Sequence, residues 1–298
     1  MVKKIVVATD GEEGLDRLGH CLEALAASGV EQLIWVQALP WQDDAIGLPE
    51  DTTPQIEAAR SRLRAHLTDH LPVDVVVQIG QPQEVILQAI QRFHPDLLIM
   101  GMSPNQLLLE KVFGSTTMTL LPKLTIPLLV IRPQLIAAFT LKELQLRCRG
   151  LLRSLLFPCD AEATQQPLLP QLIQICQKDP SHCQSILILH VLDTSSRRLQ
   201  GIPFEELRQQ ALLKLTPIQQ TLQQALPHTQ ITIQVEEGSP VQQILKTAAS
   251  ADVTAIALTS QNAGRFWELS IPSVTGELLR RSWHPVLFFP SRAKGSVD

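Results

Sequence analysis

Gly101 closes an apolar segment, LLIMG, and thirteen residues later Gly114-Ser115-Thr116 opens a helix-forming stretch with Thr117, Met118 and Leu120. Glycine lets backbone approach a phosphate closely, and a helix N-terminus turns unpaired N–H groups and a partial positive charge toward it. Ser115 and Thr116 would add hydroxyl hydrogen bonds. Asp10, at the end of the apolar run KKIVVATD, supplies a carboxylate at the end of another strand. A simpler reading of Gly101, Gly114 and Ser115 is a strand-end turn and a helix N-cap without ligand, with Asp10 capping the turn after its strand.

These residues need a scaffold that gathers strand ends. Residues 3–9 form a nearly continuous apolar run, the pattern of a strand buried on both faces. Leu15, Leu18, Leu22 and Leu25 fall at helical spacing over 15–28, and Gly29 stands where a C-cap belongs. Further strands are expected near 32–38, 73–79, 96–100 and 127–131, alternating with helices near 54–70, 83–93 and 115–121. Such alternation predicts an α/β fold with a doubly wound parallel sheet. Ligands of these sheets sit beyond the carboxyl ends of the strands, where the strand order reverses. ATDGEEG (8–14), QALPW (37–41) and MGMSPN (100–105) all end at that edge.

The pattern occurs twice. KKIVVATD (3–10) pairs with RSLLFPCD (153–160), aligning Asp10 with Asp160, and QLIWVQAL (32–39) pairs with SILILHVL (185–192). VVQIGQP (76–82) pairs with IQVEEGSP (233–240), and LTIPLLVIRP (124–133) with SWHPVLFFP (282–290). The offset is 150 at the aspartates, 153 at the second strand and 158 thereafter, so ordered blocks with small length changes point to a duplication. The expected organisation is a first domain at 1–133, a connecting segment at 134–152 with a short helix, a second domain at 153–292 and a tail at 293–298.

With 298 residues, 45% hydrophobic and 18% charged, the chain has enough apolar side chain for two cores and is not a disordered sequence. The opening MVKKIVVATDG offers no cleavable apolar leader, and no apolar run reaches membrane-spanning length. Five cysteines, an odd number set far apart, suit reduced thiols in the cytoplasm. The net charge of −4 argues against nucleic acid or an anionic membrane as partner. That charge divides unevenly: residues 1–133 hold 10 basic and 16 acidic residues, and 134–298 hold 15 and 13.

The ordered blocks resemble the universal stress protein family, whose nucleotide-binding members carry Gly-x2-Gly-x9-Gly-Ser/Thr after the fourth strand and an Asp ending the first. Gly101 and Gly114-Ser115 fit that spacing, and PSVTGELLRRSWHPVLFF (272–289) resembles the family's last helix and strand. The resemblance implies a tandem member with two adenine nucleotide alpha-hydrolase-like domains, Rossmann-like in outline, pairing their last strands, PLLVIR (127–132) and PVLFFP (285–290), as an intrachain pseudo-dimer. It further implies an adenine nucleotide such as ATP, with Mg2+, in the first domain. Asp10 would hold the ribose or metal side, and Ala8, Thr9 and Ala38 would border the base. Met100 and Gly101 would line the pocket, while Gly114, Ser115 and Thr116 would receive phosphates.

The chain also departs from the pattern. Pro104 occupies the second glycine position, removing one N–H and fixing φ near −65°. Losing one hydrogen bond to a charged group costs roughly 1.5–3 kcal/mol, about ten- to a hundredfold in affinity. In the second repeat the three glycine positions hold Thr259, Asn262 and Pro272, although Asp160 and Ser273 remain. Pro122 should shorten or kink the helix after Gly114. His66 and His70 stand at i and i+4 without an evident third metal ligand, and read as a solvated helix face beside Arg60, Arg62 and Arg64. Cys176 and Cys183 are too widely spaced for a CxxC redox motif and read as ordinary thiols. His94-Pro95 and His284-Pro285 read as turns before strands, and Arg280-Arg281 as an exposed helix end.

Three functions follow. The first is a stress-linked regulatory module binding ATP, ADP or AMP in its first domain. The second is a scaffold without nucleotide, serving a protein partner or a homo-oligomer through the sheet edge and residues 134–152. The third is an enzyme, a slow ATPase using Asp10 and a divalent ion. No catalytic residue is assigned, because no general base or second acidic ligand is identifiable near Gly114, and no Ser–His–Asp or GxSxG arrangement is legible.

Overall fold

The computed structural model describes residues 2–9, 15–39, 52–64, 71–101, 115–161, 168–177, 183–193, 201–259 and 274–290. Contacts divide the chain into two units, residues 2–149 and residues 150–298. In the first unit the strands are β1 (Lys4–Thr9), β2 (Gln32–Leu39), β3 (Val73–Ile79), β4 (Leu97–Gly101) and β5 (Leu128–Ile131). They lie in the order β3-β2-β1-β4-β5, every adjacent pair parallel. Ile5, Val6, Leu33, Ile34, Trp35, Leu97, Leu98 and Leu128 are fully buried. Helices cover the faces of a parallel sheet, which is why these strands read as apolar runs without alternation. Each such side chain contributes about 1.5–3 kcal/mol by leaving water.

The helices are α1 (Leu22–Ala27), α2 (Thr53–Arg64), α3 (Pro82–Phe93) and α4 (Ser115–Leu120). The expected helix over 15–28 divides: Leu15–Cys21 winds as a 3₁₀ helix and only Leu22–Ala27 as α-helix. Gly19, a poor helix former, falls inside the tighter part. The stop is as expected. Gly29 adopts φ +87°, its N–H donates to the Ala26 carbonyl at 2.9 Å, and the Val30 N–H donates to the Leu25 carbonyl at 3.1 Å. This is a Schellman close. α3 starts with Pro82 in its first turn, buries Val85, Ile86, Ala89 and Ile90, and ends at His94 in the left-handed conformation. α4 ends at Leu120 and a 3₁₀ turn, Leu121–Lys123, carries Pro122, so the proline does shorten the helix.

Residues 133–149 form two helices where one was expected, α5 (Pro133–Ala138) and α6 (Leu141–Arg149). They pack on the 3₁₀ helix and α1 of the first unit. Thr140 and Glu143 make a capping box: the Glu143 carboxylate accepts from the Thr140 N–H at 2.8 Å, and the Thr140 hydroxyl accepts from the Glu143 N–H at 3.3 Å. The Arg17 guanidinium donates to the carbonyls of Ile136 and Ala137, both at 2.6 Å, and of Phe139 at 2.9 Å, closing the C-terminal end of α5.

The second unit contains β6 (Ser154–Pro158), β7 (Ser185–Leu192), β8 (Gln230–Glu237), β9 (Ala255–Thr259) and β10 (Val286–Phe289). Among these strands the order is β10-β9-β6-β7-β8, all parallel. Its helices are α7 (Leu168–Gln177), α8 (Phe204–Ala225), α9 (Pro240–Ser250) and α10 (Val274–Arg281). The duplication is visible rung by rung. Lys4 faces Gln32 and Ser154 faces Ser185; Leu33 faces Val73 and Ile186 faces Ile231; Ile5 faces Leu97 and Leu155 faces Ala255. These partners differ by the offsets 150, 153 and 158 found in the sequence. Gly80 and Gly238, at φ +145° and +125°, each donate their N–H at 3.0 Å to the last carbonyl of the second strand, Leu39 and Leu192. His94 and Asp252 share φ +48° and +46° after equivalent helices. One junction changed chemistry: Asp96 accepts from the N–H groups of Lys3 and Lys4, while in the second unit Thr254 accepts from the Ser154 N–H at 3.1 Å.

Candidate functional site

In the first unit the chain runs from β1 to β2 and β3 on one side, then returns to β4 and β5 on the other. The strand order therefore reverses between β1 and β4, and in open α/β sheets ligands bind beyond the carboxyl ends of the strands at such a reversal. The register brings the expected residues together there. Ala8 lies between Val36 of β2 and Met100 of β4, Thr9 faces Gln37, and Gly101 faces Ile131. Ala38 follows Gln37 on the same edge. Ala8, Thr9, Gln37 and Met100 are buried, while Ala38 and Gly101 are half-buried. A buried threonine and a buried glutamine on facing rungs make this a polar strand end above an apolar sheet.

α4 begins at Ser115, with Thr116 half-buried and Thr117 buried. Asp10, Gly114 and Pro104 lie outside the described residues, as do His66 and His70. Two residues of this edge were missed in the sequence. Gln37 opens the QALPW segment expected at this edge but was given no role, although an amide near the end of an apolar run is a signal. Arg132 directly follows β5, the strand beside β4, and is half-buried. Burial pushes its guanidinium below the usual arginine range. A basic residue closing the run LLVI was legible as an anion-compatible group at the carboxyl edge.

The corresponding edge of the second unit is built from different side chains. β6 and β9 flank its reversal point. His190 takes the place of Gln37 and is buried; its Nδ1 lies 3.2 Å from the Ala161 N–H and 2.9 Å from the Cys159 carbonyl. Burial, with a smaller effect from the Asp160 charge, pushes the Cys159 thiol up to about 12. Thr259 stands where the first unit has Gly101, and its hydroxyl is buried without a hydrogen-bond partner among the described residues. A side chain thus occupies the place where glycine leaves backbone accessible. Asn262, Pro272 and Ser273 fall outside the described residues.

Elsewhere the sequence expectations divide. Arg281, at the end of α10, is exposed and pairs with Glu277 at 3.4 Å. Cys176 and Cys183 carry no disulfide, yet their sulfurs are in contact, which their spacing of seven did not suggest. No helix among the described residues is long and apolar enough to cross a membrane.

A model of the universal stress protein family matches residues 1–132 and 153–290. No curated protein matches the chain. Among solved structures, a universal stress protein from Archaeoglobus fulgidus DSM 4304 is 16% identical over 99% of this chain and 98% of its own, with a TM-score of 0.63. A functionally unknown protein from Pseudomonas aeruginosa PAO1 is 15% identical over 96% of this chain and 92% of its own, with a TM-score of 0.59. At these identities the likeness is one of fold.

Proposed function

We propose that this chain, which belongs to the universal stress protein family, is a regulatory module holding one adenine nucleotide at the β1–β4 edge of its first unit. The observation that carries the reading is the asymmetry between equivalent edges. The first keeps Gly101 beside the Ala8–Met100 rung, and the second has Thr259, half-buried with its hydroxyl turned out of solvent, at the matching position. Ala8, Thr9 and Ala38 would border the base, Met100 and Gly101 would line the pocket, and Asp10 would hold the ribose or a Mg2+ ion. Gly114, Ser115 and Thr116 would take the phosphates of ATP, ADP or AMP. The second unit would serve as a structural partner without ligand.

This reading assigns binding and no turnover. Native mass spectrometry of the freshly purified chain tests it, with the complex expected to exceed the bare chain by the mass of one nucleotide after incubation with ATP. Gly114→Val would put a branched side chain where the phosphates approach and should abolish the adduct. Pro104→Gly restores one N–H and should tighten binding roughly ten- to a hundredfold. Undiminished binding by Gly114→Val would place the nucleotide elsewhere.

A further inference from the structure

All five cysteines of the chain are buried and four of them meet in pairs, Cys21 with Cys148 and, at the distance a disulfide most nearly needs, Cys176 with Cys183. Cys176 lies in the last turn of α7, and Cys183 lies two residues before β7. Their Sγ atoms are 2.7 Å apart, with the residues 2% and 1% exposed. A disulfide spans about 2.0 Å, so the two sulfurs stand roughly 0.7 Å from bonding distance. The backbone around them is tied down. The Thr229 hydroxyl donates to the Cys183 carbonyl at 2.8 Å, the Gln184 N–H donates to the Arg153 carbonyl at 2.8 Å, and the Gln177 amide donates to the Ala225 carbonyl at 3.2 Å. Leu172 and Ile175 of α7 are buried along with Cys176. A thiol is a weak hydrogen-bond donor, so the contact adds little as a polar pair. What the juxtaposition supplies is a second sulfur within reach of the first.

We propose that Cys176 and Cys183 form a reversible dithiol–disulfide site oxidised by a hydroperoxide. One sulfur, as thiolate, attacks a peroxide oxygen: an S–O bond forms, the O–O bond breaks, and the departing hydroxide takes a proton to leave as water. The resulting sulfenic acid is attacked by the other sulfur: the S–S bond forms, the S–O bond breaks, and a second water leaves with the thiol proton. In sum, two thiols and one hydrogen peroxide give one disulfide and two waters, and the two electrons lost by sulfur reduce the peroxide. A neighbouring thiol that resolves the sulfenic acid keeps the oxidation reversible. Dithiothreitol returns the pair to thiols by exchange. Cys183 precedes the amino end of β7, whereas the candidate ligand edge lies at the carboxyl ends, so this site stands or falls independently of nucleotide binding.

The test treats the reduced full-length chain with hydrogen peroxide, unfolds it in iodoacetamide and digests it with trypsin. Cleavage after Lys178 separates Cys176 on peptide 154–178 from Cys183 on peptide 179–197. The expected product is a single species with the summed mass of both peptides less two hydrogens, lost on treatment with dithiothreitol. Cys159→Ser should leave that species in place, since Cys159 shares the first peptide. In Cys183→Ser, Cys176 should instead be trapped as a sulfenic acid by dimedone. Recovery of both cysteines fully alkylated from peroxide-treated wild type overturns the proposal. So does a linked species that persists in Cys176→Ser.

Discussion

Replacing Gly80 and Gly238 with alanine, one at a time, sets the two repeats against each other. Each glycine turns the chain from the third strand of its unit into a helix opened by proline, and each donates its N–H to the end of the second strand. In the first unit that strand end carries Ala38, so the turn also holds one border of the candidate site. At Gly80 an added Cβ meets only Val85 Cγ2, at 3.9 Å, an ordinary contact. The cost there is backbone strain at φ +145°, about 1–3 kcal/mol. At Gly238, φ +125° carries the same strain, and the Cβ would lie 3.1 Å from Gln243 Nε2. That amide donates to the Glu237 carbonyl at 2.9 Å and must move aside, forfeiting a hydrogen bond of about 0.5–1.5 kcal/mol. Gly238→Ala should therefore cost about 1.5–4.5 kcal/mol against about 1–3 for Gly80→Ala. At roughly 2–4 °C per kcal/mol for a unit of this size, both should be plain in thermal melts. Hydrogen exchange read by mass spectrometry should confine the loss to the mutated unit. A wild-type midpoint in either variant would refute the strain argument, and a larger loss at Gly80 would refute the contribution of Gln243.

Other tests address the segment joining the repeats. Thr140→Ala removes the N-cap of α6 and should cost about 1 kcal/mol in urea unfolding. Accepting hydrogen bonds from the Thr140 N–H and hydroxyl holds the Glu143 carboxyl below the usual glutamate range. A lowered folded pKa means this contribution is complete above the unfolded value, about 4.3, and is lost as pH falls through the folded value. The difference between wild type and Glu143→Gln should therefore shrink on acidification; a constant difference would contradict the cap. Arg17→Ala removes three guanidinium–carbonyl hydrogen bonds and should quicken tryptic cleavage after Lys142 and Arg147, measured as peptide release from the native chain.

Where local chemistry decides structure, the sequence was readable. Apolar runs marked the strands, Gly29 marked a helix stop, and Pro122 marked the end of α4. The repeat offsets carried more, because equal offsets at paired strands amount to register, and the rungs in both units follow them. Of the candidate site, Ala8, Thr9, Ala38, Met100 and Gly101 share one edge because parallel strands end together. Long-range contacts left no local trace. Arg17 reaches Phe139 across 122 positions, and nothing near either residue announces it. Cys176 and Cys183 meet because a helix end and a strand start converge, which spacing rules for redox motifs do not anticipate. The second helix in 133–149 was legible after all, since Thr140 and Glu143 are spaced as a capping box.

Isothermal titration calorimetry of ATP into the full-length chain tests the central claim most directly, because it reports stoichiometry with affinity. One site per chain, lost in Gly114→Val, is the predicted result. No heat of binding at millimolar ATP, or two equivalent sites per chain, would contradict it.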